Sequence, residues 1–157
     1  MTFGTFQTPA LQNEPVKEYR PNSPERKAIK EALAEARSRQ IDIPMYIGTE
    51  EVRTENKIRI TPPHDHAHTL GYFSEGNASH VQQAIDAALI AKENWAKLPW
   101  EQRAAIFLKA ADLLAGPWRA RITACTMHGQ SKTAHQAEID AACELIDFWR
   151  VGVSQAH

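Results

Sequence analysis

Three histidines at alternate positions, His64, His66 and His68, are the clearest candidates for metal chemistry in this chain. Alternate residues of a strand share one face, so three imidazoles in this pattern could converge on a single ion. The segment follows Pro62-Pro63, however, which favours a loop or hairpin tip, and the pattern indicates no distant fourth ligand. We therefore predict no metal site and an exposed, histidine-rich turn. A metal-binding module remains a third hypothesis for the function.

Carboxylates recur near the end of the chain, where the pattern is helical. Glu138 and Glu144 are six residues apart and point to different faces of a helix, so their spacing does not support a paired-carboxylate acid/base site. Asp140 and Glu144 are four apart and would repel, which predicts a basic partner elsewhere for at least one of them. Most of these carboxylates are predicted to lie on solvated surface.

Neither cysteine has the neighbours of a nucleophile, a disulfide or a metal ligand. Cys125 and Cys143 lie in helical patterns among apolar and alanine residues, which predicts two reduced, buried thiols. Residues 129–133 lack the spacing of a phosphate-binding loop and read as a helix-to-helix turn. No Gly-rich dinucleotide fingerprint or nucleophile elbow occurs. The residues by themselves therefore indicate no catalytic or cofactor-binding site.

Composition is typical of one globular domain. The chain has 157 residues, of which 43% are hydrophobic and 24% charged, with a net charge of −1. No basic stripe or polybasic cluster occurs, so neither nucleic acid nor a membrane surface is an expected partner. The first residues lack the patterns of secretory and transit peptides, and no apolar run is long enough for a membrane span. These features predict a cytoplasmic protein.

The first half of the chain is predicted to contain an arm, a helix and a small β region. Residues 1–22 are polar and proline-containing, which predicts an extended arm. Ser23-Pro24 is a strong helix start and predicts a helix over 23–39. Residues 41–73 alternate as strands do, with a hairpin turn at Gly48. Without crossover helices they predict a small antiparallel region and exclude a parallel dinucleotide-binding sheet.

The second half is predicted to be helical over 79–150. Asn77 or Ser79 caps the first helix, with Ser79 and Gln82 at capping-box spacing, and Pro99 opens the second. The third spans about 118–127 and the fourth about 133–149. The apolar stripes of the first and fourth are Val81, Ala84, Ile85, Ala88, Leu89 and Trp95, and Ala134, Ala137, Ala141, Leu145 and Phe148. Alanine-rich stripes leave too little apolar area for a self-sufficient bundle, so they are predicted to pack on something larger.

Several segments carry a resemblance to a known family. They are, in order, Asn13-Glu14-Pro15-Val16, Ser23-Pro24-Glu25-Arg26, Ala84-Ile85-Asp86-Ala87-Ala88, and the runs 103–112, 129–133 and 136–148, of which the last is the most specific. From about Asn13 to Arg150 the chain resembles the N-terminal part of the Δ1-pyrroline-5-carboxylate dehydrogenase branch of the aldehyde dehydrogenases. Residues 151–157 keep little of that family's pattern.

The resemblance implies the N-terminal part of the α/β aldehyde dehydrogenase fold, mainly α with a small antiparallel β region and without the Rossmann-like sheet. It implies an incomplete domain over 23–157. The implied enzyme uses NAD to oxidise L-glutamate γ-semialdehyde to L-glutamate in proline degradation, through a cysteine thiolate and a water-activating glutamate. Those residues and the NAD site lie beyond the matched region, so none is assigned here and the chain alone is expected to be inactive. The full-length enzyme is expected to be a homo-oligomer acting on a small molecule.

One residue carries over from the resemblance. Glu138 matches a family glutamate on a helix that borders the tunnel through which the aldehyde enters, which implies a role in substrate access or orientation rather than as an acid or base. An ion pair that holds this helix to its neighbour is an equally weighted alternative. For the chain as a whole, the alternative function is a stand-alone helical interaction protein derived from such an enzyme.

Overall fold

The chain begins with an arm that leads into helix α1. A computed structural model describes residues 7–156, so the first six residues of the predicted arm and His157 lie outside the described part. Residues 7–20 contain no helix or strand. Helix α1 spans Pro24–Ser38, and the Ser23 side chain accepts a hydrogen bond from the Arg26 N–H. The Ser-Pro start therefore forms the N-terminal cap that its residue types predict.

Five short strands form two small sheets. They are β1 (Ile41–Ile43), β2 (Met45–Ile47), β3 (Glu50–Val52), β4 (Lys57–Ile60) and β5 (Gly71–Ser74). β2 and β3 form an antiparallel hairpin through Gly48, which has the left-handed φ of +61° that favours glycine. β5 pairs antiparallel with β4 on one side and parallel with β1 on the other. The prediction of a mainly helical chain with a small antiparallel β region is confirmed, and the parallel pair is an addition that alternation alone does not reveal.

Gly71 marks the place where β5 lies closest to β1. A Cβ atom at this position would stand 2.2 Å from the main-chain oxygen of Ile41 and 2.7 Å from its Cγ1 atom. The main chain of β1 cannot withdraw without breaking the parallel ladder that pairs Ile41 with Gly71. The close approach therefore requires glycine.

The helices that follow are α2 (Ala78–Lys97), α3 (Trp100–Ala115), α4 (Arg119–Gln130), α5 (Ala134–Ala137), a π-helical turn (Glu138–Cys143) and α6 (Glu144–Gln155). Asn77 caps α2, because its Oδ1 accepts from the N–H groups of Ser79 and His80. The His80 Nδ1 atom in turn accepts from the Asn77 N–H. The capping box thus joins Asn77 to His80, and the predicted pairing of Ser79 with Gln82 is wrong.

The π-helical turn changes which face of the last helix is buried. Ala137 and Ala142 are buried five residues apart, and burial continues at Ile146 and Val153. A π turn holds one more residue than an α turn, so it rotates everything after it by one position. Phe148, predicted to face inward, is consequently 71% exposed. A prediction that assumes an unbroken period of 3.6 residues does not detect such an insertion, so it assigns the wrong side chains to the buried face.

Two apolar clusters hold the helices together. The first joins α3 to the π turn and α6, through Ala111, Leu114, Ala142 and Ile146. The second joins the arm, α1 and α4, through Tyr19, Ile29 and Ala124. Cys143 is buried as predicted, whereas Cys125 is exposed and the prediction for it is wrong. None of the helices within residues 7–156 combines the length and apolarity that crossing a bilayer requires.

Replacing Gly71 with alanine should destabilise the chain by about 1–3 kcal/mol, because the new methyl group overlaps main-chain atoms of β1. The melting temperature measures this effect. Gly129→Ala is the matched control, since Gly129 lies in α4 and a Cβ there would meet nothing within 4 Å. That control should be stabilised by about 0.5–1 kcal/mol. Equal melting temperatures for the two variants would contradict the close approach.

Candidate functional site: a buried ion network beneath the N-terminal arm

Glu138 opens the π turn and is completely buried, with 0% of its surface exposed. Its Oε1 atom accepts from the main-chain N–H of Lys17 at 2.9 Å and from Arg119 Nε at 3.0 Å. Its Oε2 atom accepts from the Tyr19 hydroxyl at 2.6 Å. The carboxylate is therefore surrounded by donors from the arm and from α4, as the ion-pair alternative requires.

Arg119, the first residue of α4, is the cationic partner and is only 3% exposed. Its Nη2 atom donates to Glu138 Oε1, to the carbonyl of Pro15 at 2.7 Å and to Cys143 Sγ at 3.3 Å. Its Nη1 atom donates to Glu14 Oε1. A single guanidinium thus joins the arm, α4 and the π turn, which suits the fixed, planar array of donors in arginine.

Glu14 extends the network to α6. Its Oε2 atom accepts from Arg150 Nη1 at 2.8 Å, and its main-chain N–H donates to Asp147 Oδ1 at 2.8 Å. Two carboxylates and two guanidinium groups therefore alternate from Glu138 through Arg119 and Glu14 to Arg150. Opposite charges are neighbours throughout, so the buried charges are paired.

Tyr19 reaches Glu138 through an unusual backbone conformation. Its φ is +53°, a left-handed value that costs a bulky residue about 1 kcal/mol. The conformation turns the arm so that the ring is buried against α1 and α4 while the hydroxyl meets Glu138. The Tyr19 carbonyl also accepts from Arg26 Nη1 at 3.2 Å. Ring burial and these hydrogen bonds offset the backbone strain.

The network shifts the pKa values of its members in opposite directions. Burial by itself would raise the pKa of Glu138, but hydrogen bonds from Arg119, Tyr19 and Lys17 outweigh it and hold that pKa below 4.5. Burial, followed by the bond to Glu138, raises the pKa of Tyr19. Burial likewise raises the pKa of the Cys143 thiol. Glu138 is therefore an anion near neutral pH, and Tyr19 and Cys143 keep their protons.

The arm, Arg119 and Glu14 were not identified as site residues from the sequence. One signal does single out Arg119: a positive charge at the first residue of a helix opposes the helix dipole. Such an arginine needs a strong anionic partner, and here Glu138 and Glu14 provide two. Nothing in the local pattern marks Glu14, because its partners lie more than a hundred residues away.

The predicted histidine-rich turn lies between β4 and β5. His64 Nδ1 is 2.7 Å from Ser131 Oγ, and Asp65 pairs with Arg37 of α1 at 2.7 Å. Arg59 donates to the main-chain oxygens of His66 and Ala67. Across the described residues, no three His, Cys, Asp or Glu side chains are placed to share a metal ion. These contacts tie the turn to α1 and to the end of α4.

Asp140 has the basic partner that its repulsion with Glu144 predicts, since Lys132 Nζ lies 2.5 Å from Asp140 Oδ2. Both members of that pair are partly exposed, so it contributes little to stability. The contrast with the buried Arg119–Glu138 pair shows that spacing alone does not separate surface carboxylates from buried ones.

The start of helix α2 does not fit the phosphates of a dinucleotide. Among residues 7–156, β5 is the strand that leads most directly into a helix, through residues 75–77 into α2. The free N–H groups at such a helix start would bind a phosphate. Asn77 already accepts hydrogen bonds from two of them, at Ser79 and His80, and Glu75 adds a negative charge to the turn. We therefore assign no cofactor-binding residue in this part of the chain.

Arg119→Ala should destabilise the chain by roughly 3–5 kcal/mol, because it leaves the Glu138 carboxylate buried without its cation. The free energy of unfolding in urea is the measurement. Lys132→Ala removes the exposed pair with Asp140 and serves as control, with an expected loss below about 1 kcal/mol. Similar small losses for both variants would show that the buried network contributes no more than a surface pair.

Acid stability should depend on Glu138. Its pKa is lower in the folded state than in the unfolded chain, so its stabilising contribution is complete well above the ordinary glutamate pKa and is lost as the pH falls through the folded pKa. Glu138→Gln removes this proton-linked contribution, so stability should fall less steeply than in the wild type from about pH 5 to about pH 3. Melting temperatures across this range test the idea. Parallel curves for the two proteins would refute it.

Comparison with known proteins identifies the family. The chain is 50% identical to the Δ1-pyrroline-5-carboxylate dehydrogenase of Agaricus bisporus over 96% of its own length and 28% of the relative's. It is 47% identical to the human mitochondrial enzyme of that name, over 93% of this chain and 26% of the relative. The resemblance inferred from the sequence is thereby confirmed. The chain spans little more than a quarter of these relatives.

Solved structures show the same fold. The Δ-pyrroline-5-carboxylate dehydrogenase of Mycobacterium tuberculosis, bound with NAD, matches with a TM-score of 0.96 and 47% identity, over 99% of this chain and 29% of that one. The 1-pyrroline-5-carboxylate dehydrogenase from Thermus, also with bound NAD, matches with a TM-score of 0.85 and 28% identity over 99% of this chain and 29% of that one. The pattern of the aldehyde dehydrogenase family covers residues 50–157. This chain therefore belongs to the aldehyde dehydrogenase family.

Proposed function

We propose that this chain is the N-terminal portion of an NAD-dependent dehydrogenase that oxidises L-glutamate γ-semialdehyde to L-glutamate in proline degradation. The observation that carries the proposal is the match to the M. tuberculosis enzyme, at 47% identity and a TM-score of 0.96 over 99% of this chain. Identity of 50% and 44% to two such enzymes, over 96% and 99% of this chain, supports this branch of the family.

The chain's own part in that enzyme is structural. Cys143 is buried, its pKa is raised by burial, and its sulfur lies against the Arg119 guanidinium and the Pro15 carbonyl, so no substrate reaches it. Cys125 is exposed but lies outside the family's nucleophile motif. When bound to the complete enzyme, NAD would accept the hydride. We propose that the reacting residues come from polypeptide outside this chain, which alone is inactive.

Glu138 would act on substrate access indirectly. Its carboxylate is buried beneath the arm and bonded to Arg119, Tyr19 and the Lys17 N–H, so it fixes the helix that carries it. These hydrogen bonds would hold a helix that borders the aldehyde route in a fixed position. Direct contact between Glu138 and the aldehyde would require the arm to move aside, and it stays a prediction from the resemblance.

We propose a homo-oligomer for the complete enzyme, acting on a small-molecule substrate. Curated relatives include mitochondrial enzymes, so a cytoplasmic location stays a prediction from the sequence. A stand-alone helical interaction protein derived from that enzyme is the alternative function, and a monodisperse monomer that melts cooperatively would favour it.

A fusion tests the proposed activity. Joining this chain to the part of the M. tuberculosis enzyme outside the matched region should restore NAD-dependent oxidation of the semialdehyde, because this chain shares the fold of the segment that it replaces. NADH formation is the readout. The 157-residue chain alone is the control and should show none. A folded fusion without activity would contradict the proposed function, and turnover by the chain alone would contradict its role as a portion.

A further inference from the structure

Helix α2 is the least buried of the helices that the structure describes. None of its twenty residues, all of which the structure describes, is buried. Its large apolar side chains are exposed: Val81 at 61%, Ile85 at 48%, Leu89 at 58% and Ile90 at 74%. Most of the stability of a protein helix comes from packing its apolar face. A helix of this length without such packing lacks a partner.

Three of the large apolar side chains of α2 share one face, whereas Ile90 lies on another. Val81, Ile85 and Leu89 are spaced four residues apart and form one row. The opposite face touches the β2–β3 hairpin, where Ala87 lies near Gly48, and Ala87 is two residues from both Ile85 and Leu89. Residues two apart on a helix do not face the same way. The hairpin therefore packs on the face of α2 opposite the row, and the side chains of the row stay exposed.

Beyond the row, the end of α2 borders a cavity of about 440 Å³. Trp95, near the end of α2, lines that cavity together with Phe107 of α3 and Phe148 of α6. Phe148 faces outward because of the π turn, and it is among the most exposed large apolar residues. We call the exposed row and this aromatic cavity together the α2 seam.

The total exposed surface exceeds that of a compact monomer. The chain exposes 10979 Å², whereas a compact monomer of its 17.6 kDa exposes roughly 7,900 Å². The excess is about 3,000 Å², far more than the ~800 Å² that each partner buries in a standard interface. One face of a 20-residue helix, about 30 Å long and ~10 Å wide, offers only about 300 Å², so α2 accounts for only part of the excess. The excess indicates that further polypeptide packs on this chain.

We propose that the α2 seam binds the remaining polypeptide of the aldehyde dehydrogenase unit, and that it does so even when that polypeptide is a separate chain. The inference rests on the proposed function, since relatives that the chain covers by only 28% provide the occupant. Ala84 and Ala88 lie between the large residues of the row and allow close approach of an apolar helix or strand. The occupant is thus an apolar surface, with Leu89 buried near its centre.

Co-production tests this inference. The 157-residue chain, carrying an affinity tag, is produced together with an untagged part of the M. tuberculosis enzyme that lies outside the matched region. Affinity capture and gel filtration measure the complex. We expect co-purification, and we expect Leu89→Glu to weaken the complex roughly 10- to 100-fold, since it places a charge in an apolar contact.

Gln83→Glu is the matched control, because it adds the same carboxylate to α2 away from the row. It should leave the complex unchanged. Leucine and glutamate have similar helix propensity and Leu89 is exposed in the free chain, so Leu89→Glu should also leave that chain's melting temperature unchanged. A lower melting temperature would mean that Leu89 packs within the chain, which overturns the inference.

Three further outcomes would overturn the inference. Co-purification that Leu89→Glu does not weaken would place the contact elsewhere. A dimer of the tagged chain alone, lost in Leu89→Glu, would make a second copy the occupant. An active fusion whose two parts do not associate when separate would refute binding between chains while leaving the proposed function intact. If the two separate parts form the complex but the folded fusion is inactive, the result contradicts only the proposed function.

Discussion

The structure depends on one pair of charges taken out of water, Arg119 and Glu138. Such a pair is stable only when its remaining donors and acceptors are also matched, because each unsatisfied one carries a desolvation cost. The two side chains cannot satisfy one another completely. The arm supplies the missing partners, from Glu14, Pro15, Lys17 and Tyr19. These hydrogen bonds fix the position of the arm, which contains no helix or strand, although its partners lie more than a hundred residues away in the sequence.

The same pair lies where the last helix changes its period. Glu138 is the first residue of the π turn and Cys143, its last, also touches Arg119. Beyond the turn, Ile146 packs against α3 while Phe148 faces outward. One inserted residue therefore decides both the internal packing of the bundle and the aromatic part of the α2 seam. π turns recur at functional positions, and here the turn joins the buried network to an exposed surface.

The chain thus has two parts with different requirements. The first part buries the ion network and the two apolar clusters and therefore has its own core. It consists of the arm, α1, α3, α4, the π turn and α6. Helix α2 projects from it and touches mainly the β2–β3 hairpin. An apolar helix exposed in this way is expected in a portion of a longer enzyme, and the family relationship over a quarter of the relatives' length agrees with that.

The amino-acid sequence by itself determined the order and type of the elements, because caps, prolines and periodicity act locally. Ser23-Pro24, Gly48 and Pro99 lie at the predicted boundaries. It also determined the family, through segments such as 136–148. Only the tertiary structure decided the partners of those elements. The parallel β1–β5 pair, the pairing of Arg119 with Glu138 and the outward turn of Phe148 depend on contacts between distant residues or on one inserted residue, which local patterns do not encode.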